Sequence, residues 1–224
     1  MSGRNMIARR LLKSLALFVL SSQSQKGVAD EESKPHLEVE RKFRLFDEEM
    51  NTLLQRLPKC GFSPTGEVTM TDTFLPALKD EDMVRIRVES EGAETRRILT
   101  LKDWVFIDGE RERREQEGAV GLISGVLLRL VGRLVQGHPL LSFTKLRHLH
   151  SRTDADSQVV VSVDRVSGLG VYSGCYLEVE IIVAIGGDVK SAREKIKAEV
   201  FALLGENRDF VPRSYQDMLR ETTV

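Results

Sequence analysis

Leu37-Glu38-Val39-Glu40-Arg41-Lys42-Phe43-Arg44-Leu45 alternates with a period of two. On an extended strand, side chains at i, i+2 and i+4 share a face. Glu38, Glu40 and Lys42 therefore point one way, and Leu37, Val39, Phe43 and Leu45 the other. Alone, this is an ordinary half-exposed antiparallel strand with a solvated ionic face. Repetition changes that reading. Val84-Arg85-Ile86-Arg87-Val88-Glu89, Leu99-Thr100-Leu101-Lys102, Phe143-Thr144-Lys145-Leu146-Arg147 and Leu177-Glu178-Val179-Glu180-Ile181 follow the same design. Ionic faces of both signs, each backed by an apolar face, suggest a sheet curled so that charge lines the interior and apolar side chains pack under helices. Closure would also remove unpaired strand edges. Buried charges are costly unless paired with each other, a metal or a charged ligand, so a charged interior implies a charged guest.

The 224 residues, 41% hydrophobic and 30% charged, read as one soluble domain with a short tail, large enough for a proper core. Nothing demands oligomerisation, and a monomer or homodimer is expected. Residues 1–29 carry five basic residues and no acid, so a net charge of −1 leaves −6 on residues 30–224. An acidic body argues against a broad nucleic-acid surface. Cys60 and Cys175 read as reduced thiols, and four His without a Cys-x-x-Cys make a structural zinc site unexpected. The basic, Ser- and Leu-rich start has the composition of an organellar transit peptide, with a secretory signal or an untargeted tail as alternatives. Its apolar run over 14–20 is too short to span a bilayer. The expected division is a targeting peptide or disordered tail over 1–34 and a domain over 35–224, in a mitochondrion or other organelle, with the cytoplasm as the alternative.

After the first strand, Asp47, Glu48 and Glu49 start a helix with Met50, Leu53, Leu54 and Leu57 as its apolar stripe, ended by Pro58 and Gly61. Strands are expected around 68–75, 83–89 and 97–102, with polar connections over 76–82 and 90–95, and Glu110 to Glu117 is also read as a connection. Over 118–135, Val120, Ile123, Leu127, Leu130, Val131 and Leu134 fall at helical spacing. Strands resume at 141–149, 158–165 and 176–184, followed by a helix capped by Asp188 and ended by Gly205, and a short helix over 215–220.

The ordered set Glu38-x-Glu40-x-Lys42, Arg85-x-Arg87, Lys102, Glu115-x-Glu117, Lys145-x-Arg147, Asp164, Glu178-x-Glu180 and Ser214-Tyr215…Leu219 resembles the CYTH family, the triphosphate tunnel metalloenzymes. These include thiamine triphosphatases, inorganic triphosphatases and the fourth class of adenylyl cyclases. The resemblance runs from about Leu37 to Leu219. It implies an α+β fold, an eight-stranded antiparallel closed β-barrel with flanking helices, whose tunnel takes a small-molecule triphosphate and Mg2+ or Mn2+. Such hard cations prefer carboxylate oxygens, which makes Glu38, Glu40, Glu178 and Glu180 candidate ligands. The resemblance adds Asp164, while Glu115 and Glu117 also read as a solvated charged run. Arg85, Arg87, Lys102, Lys145 and Arg147 are candidate phosphate contacts. Glu40 and Lys42 are the candidate catalytic pair; Lys42 reads either as a salt-bridge partner orienting Glu38 and Glu40 or, the favoured reading, as a phosphate contact or supporting base. Arg213 is a phosphate contact by position, with an exposed helix-start arginine as the plain alternative. Phe74 and Pro76 stand where the family often has Tyr and Asp, leaving Asp72 as a structural hydrogen-bond partner. Trp104 reads as a stacking platform or, more commonly, a core or rim residue.

Three functions remain in order of preference. The first is a metal-dependent triphosphatase acting on thiamine triphosphate or inorganic triphosphate. The second is an adenylyl cyclase of the class IV type, to which the Arg85–Lys102 and Glu110–Glu117 stretches look somewhat closer than to animal thiamine triphosphatases. The third is a non-catalytic polyphosphate-binding module, ranked last because both Glu-x-Glu pairs are present.

Overall fold

A computed structural model describes residues 14, 16, 36–76, 83–107, 110–137, 139–154, 157–184, 187–206 and 208–222, without the side chains of 36–38, 103–115 and 184. The expected tail apart from Ser14 and Ala16, the connection over 77–82, and the side chains of Glu38, Trp104 and Glu115 lie outside the described residues.

The strands are β1 (His36–Leu45), β2 (Ser63–Leu75), β3 (Met83–Glu91), β4 (Glu94–Ile107), β5 (Glu110–Ala119), β6 (Ser142–Thr153), β7 (Gln158–Ser167) and β8 (Gly174–Ala184). All pair antiparallel in the order β1-β5-β4-β3-β2-β6-β7-β8. β1 lies along β8 from His36↔Ala184 to Leu45↔Cys175 and meets β5 only at Leu37↔Arg114 and Glu38↔Arg113. The expected eight-stranded antiparallel sheet with flanking helices is present, and its ring is completed by this two-pair seam instead of a full ladder. β5 replaces the connection expected over Glu110 to Glu117. Its sequence, ERERREQEGA, alternates charge with charge, so the apolar alternation that marks a strand is missing, although it pairs with β4 from Ile98↔Ala119 to Ile107↔Glu110.

Two helices cover one outer wall. α1 (Asp47–Arg56) has three acidic residues in its first turn, and the Glu49 carboxylate accepts the Phe46 N–H at 2.7 Å, favourable against the helix dipole. α3 (Val189–Leu204) is capped by Asp188, whose carboxylate accepts the Ser191 N–H at 2.9 Å, and ends at Gly205 with φ 80°. Met50 and Leu53 of α1 and Ile196, Val200 and Leu203 of α3 bury Val39, Phe43, Val161, Val163, Leu177 and Val179 of β1, β7 and β8. These are the apolar faces of the alternating strands, so their ionic faces point into the barrel.

α2 (Leu122–Gln136) is oriented differently from its apolar spacing. Its buried residues are Gly125, Leu128 and Gly132, whereas Ile123 and Leu134 are 84% and 82% exposed. Small residues let the helix approach the sheet closely: a Cβ on Gly132 would stand 2.9 Å from the Leu75 Cδ2 atom. α4 (Tyr215–Glu221) closes one end of the barrel, with Tyr215, Met218 and Leu219 packed on Phe74, Phe143 and Tyr176. No described helix is long and apolar enough to cross a membrane.

Ile196 is fully buried between α3 and the sheet. Ile196→Ala is expected to lower stability by about 2–5 kcal/mol in urea unfolding, and Leu134→Ala by less than about 0.5 kcal/mol. A similar loss in both would show that α2 buries its apolar stripe after all.

Candidate functional site

The interior faces carry two ion-pair hubs. On β2, Asp72 is 1% exposed and accepts from Arg87 through both oxygens, Nε to Oδ1 at 2.7 Å and Nη2 to Oδ2 at 3.0 Å. Arg85, one tooth along β3, donates Nη1 to Asp72 Oδ2 at 3.3 Å and Nη2 to Thr100 Oγ1 at 3.0 Å. Thr100 in turn donates to Glu117 Oε1 at 2.6 Å, which also pairs with Arg85. Register explains the arrangement, since Asp72 lies directly opposite Arg87 across the β2–β3 ladder. Burial pushes the Asp72 carboxyl up, but Arg85 and Arg87 outweigh it and hold the group well below 3.8.

The second hub is built on β6, β7 and β8. Asp164 on β7 is fully buried and accepts from Lys145 Nζ at 2.9 Å and from Arg147 Nε and Nη2 at 2.7 and 2.6 Å. Arg147 also bonds Glu178, whose other oxygen lies 3.4 Å from Lys42 Nζ. Burial and the neighbouring Arg147 lower the Lys145 ammonium to about 8, despite Asp164 and Glu178. Burial, then Glu178 and Asp164, raise the Tyr215 phenol well above 10, so it stays a hydroxyl and donates to Asp164 Oδ2 at 3.2 Å. Lys42 Nζ sits 3.6 Å from the centre of the Tyr215 ring, so this one tyrosine at the head of α4 steadies both Lys42 and Asp164.

Residues of both hubs line a cavity of about 160 Å³. Lys42, Arg85, Arg87, Lys102, Lys145 and Arg147 face it, together with Glu40, Asp72, Glu117, Glu178 and Glu180; Phe74, Met83 and Phe143 supply its apolar part. Glu40 and Glu180 are directly opposed on β1 and β8, an unfavourable placement for two like charges unless a cation lies between or beside them. No three His, Cys, Asp or Glu side chains among the described residues converge on a metal position. A pair of carboxylates nevertheless suits Mg2+ or Mn2+, which commonly bind through one or two carboxylates, waters and substrate phosphates. Glu40 and Glu180 would hold such an ion, with Glu178 next to them.

Glu40, Lys42, Arg85, Arg87, Lys102, Lys145, Arg147, Glu178 and Glu180 are thus brought to one cavity. Asp164, expected as a metal ligand, instead has both oxygens occupied by Lys145, Arg147 and Tyr215 behind the cavity wall. Arg213 is corrected more plainly: its half-exposed side chain bonds Tyr172 and Glu221 at 2.9 Å, and only its backbone carbonyl faces Lys42. Lys42 pairs with Glu178, not with Glu40. Sequence reasoning missed Thr100 and Gln216, the latter 7% exposed and lining the cavity, and left Asp72 without its role as a hub. A lone carboxylate within an apolar strand, as in Thr71-Asp72-Thr73-Phe74, was the available signal for the last.

A sequence model of the CYTH domain matches residues 36–215. No curated protein sequence matches the chain. Among solved structures, PH1819 from Pyrococcus horikoshii OT3 is similar at 22% identity and a TM-score of 0.65, covering 83% of this chain and 99% of that one. HpAC1 from Hippeastrum, a candidate adenylyl cyclase described as having a dominant triphosphatase activity, is similar at 14% identity and a TM-score of 0.54, covering 84% and 96%. A candidate adenylate cyclase from Vibrio parahaemolyticus is similar at 13% identity and a TM-score of 0.54, covering 84% and 99%. At these identities the likeness is one of fold.

Asp72→Asn leaves two buried guanidinium groups short of a countercharge and is expected to destabilise the fold by about 3–5 kcal/mol in urea unfolding. The native Asp72 carboxyl is held below its ordinary 3.8, so its contribution is present above that value and lost as pH falls below it. The variant's stability should therefore fall less steeply between about pH 4 and 2. An equally steep acid limb in the variant would remove Asp72 from the account.

Proposed function

The chain belongs to the CYTH domain family, and we propose on that footing that its cavity is the active site of a divalent-metal-dependent triphosphatase. The observation that carries this reading is the division of the cavity: five cations fixed from behind by Asp72, Asp164 and Glu178, with the opposed pair Glu40 and Glu180 on β1 and β8. Counting Asp164 behind the wall, the site holds six cations and six carboxylates among the described residues. A guest that carries both signs fits such a site, and a metal-bound polyphosphate is one.

In this reading Arg85 and Arg87 on one side, and Lys145 and Arg147 on the other, clamp the phosphate oxygens of a chain lying between β3 and β6. Arg147 and Arg87 are already oriented by bidentate bonds to Asp164 and Asp72, so little reorganisation is needed as charge moves onto the leaving phosphate. Lys42, held by Glu178 and the Tyr215 ring, adds a positive charge near the acidic pair. A divalent ion bound there would supply Lewis-acid polarisation of a phosphoryl oxygen and lower the pKa of a coordinated water. Glu40, half-buried on the cavity face, is placed to orient that water.

The enclosed part of the cavity, about 160 Å³ and lined mainly by charged side chains, suits a phosphate chain. The triphosphatase activity described for HpAC1 favours hydrolysis over cyclisation. Inorganic triphosphate, or thiamine triphosphate with its organic end outside, is the proposed substrate, and Mg2+ or Mn2+ the proposed ion.

Phosphate release should be measured with inorganic triphosphate, thiamine triphosphate and ATP, with each metal. Turnover is expected with at least one of the first two and to vanish on chelation. Glu40→Gln should lower kcat by about 10²-fold or more while leaving the melting temperature near that of the parent. Arg87→Ala should mainly weaken substrate binding if the fold survives, and Arg87→Lys should recover part of that loss. Cyclic AMP from ATP as the main product, or no turnover of any of the three, would refute the triphosphatase reading.

A further inference from the structure

The sheet turns a second apolar face outward, on the wall opposite α1 and α3. Leu75 of β2, Val84 and Ile86 of β3, and Leu99 and Leu101 of β4 form one cluster with Val120 and Leu128, and Ile86 and Leu99 are 0% exposed. Among the described elements, α1 and α3 pack on the first wall and α4 closes one end of the barrel. The second wall is therefore served by α2 and by residues that precede β1.

α2 is a thin cover. It turns Gly125, Leu128 and Gly132 toward the sheet, while Ile123, Leu130 and Leu134 face away. The remaining member of the cluster is Ala16, which is helical and 0% exposed, whereas Ser14 is helical and exposed. Ala16 belongs to Leu11-Leu12-Lys13-Ser14-Leu15-Ala16-Leu17-Phe18-Val19-Leu20, the stretch whose composition resembles a removable targeting peptide. A residue that is lost or loose would have no reason to sit in a dry cluster with Ile86 and Leu99.

We propose that the segment carrying Ala16 is the intramolecular partner of the β3–β4 wall and is retained as part of the folded domain. Its apolar side chains match an apolar face. Nineteen residues lie between Ala16 and His36, and a chain of that length spans up to about 60 Å.

The test uses the full chain and its variants Ala16→Asp and Ser14→Asp. Ala16→Asp places a charge at a buried, apolar position. It should lower the melting temperature by roughly 5 °C or more, increase binding of a hydrophobic dye, and speed tryptic cleavage at Arg10 and Lys13. Ser14→Asp, at an exposed position, should change none of the three. Equal melting temperatures and equal cleavage rates for the parent and Ala16→Asp would overturn the proposal. So would a parent whose melting temperature rises with protein concentration and is indifferent to Ala16→Asp, because a second copy would then be covering the wall.

Discussion

Enclosing guanidinium and ammonium groups within a narrow sheet is the constraint on which this molecule turns. Desolvating an ion costs several kcal/mol. At an effective dielectric constant near 20, a partner about 3 Å away returns roughly 5 kcal/mol. A buried cation with a carboxylate to itself is therefore close to break-even, and one that shares a carboxylate needs a further partner. Asp72 is shared by Arg85 and Arg87, and Asp164 by Lys145 and Arg147. Both hubs fix the geometry of their cations, and Glu117 and Glu178 add a second carboxylate to Arg85 and Arg147, so the cations stand ordered on the cavity face.

That sharing also divides the labour among the carboxylates. Asp72 and Asp164 sit behind the cations and are almost inaccessible, at 1% and 0% exposure. Glu40 and Glu180 sit on the cavity surface, facing one another across the β1–β8 ladder. Acids that hold cations in place are fully committed to hydrogen bonds, whereas a metal ligand needs lone pairs directed into open space. By that criterion Asp164 belongs to the first group, whatever its place in an ordered motif.

What the sequence made legible follows the same division. Period-two alternation placed Glu40, Lys42, Arg85, Arg87, Lys145, Arg147, Glu178 and Glu180 on interior faces, because on a strand the apolar residues at alternate positions dictate where those between them point. It could not reveal which acid pairs with which base, since that depends on register between strands distant in sequence: Arg147 meets Asp164 across β6–β7 and Lys42 meets Glu178 across β1–β8. β5 was missed because its alternation is charge against charge. The spacing over 118–135 marks α2 but not the face it buries, because helical periodicity identifies a stripe and not its partner, and close packing on Leu75 selects the glycines instead.

Tyr215 joins these levels of organisation. It is placed by a capping box in which the Ser214 hydroxyl accepts the Asp217 N–H at 3.1 Å, and Asp217 accepts back from Ser214. Its ring packs edge-on against Tyr176 and close to Phe143, while its hydroxyl reaches Asp164 and its face supports Lys42. A terminal helix of seven residues would be marginal on its own; here its first residue is inserted into the second hub, so docking of the helix and assembly of the hub are one event. The last helix thus supports the first strand, because the lysine whose ammonium lies over the Tyr215 ring is Lys42 of β1, which also pairs with Glu178.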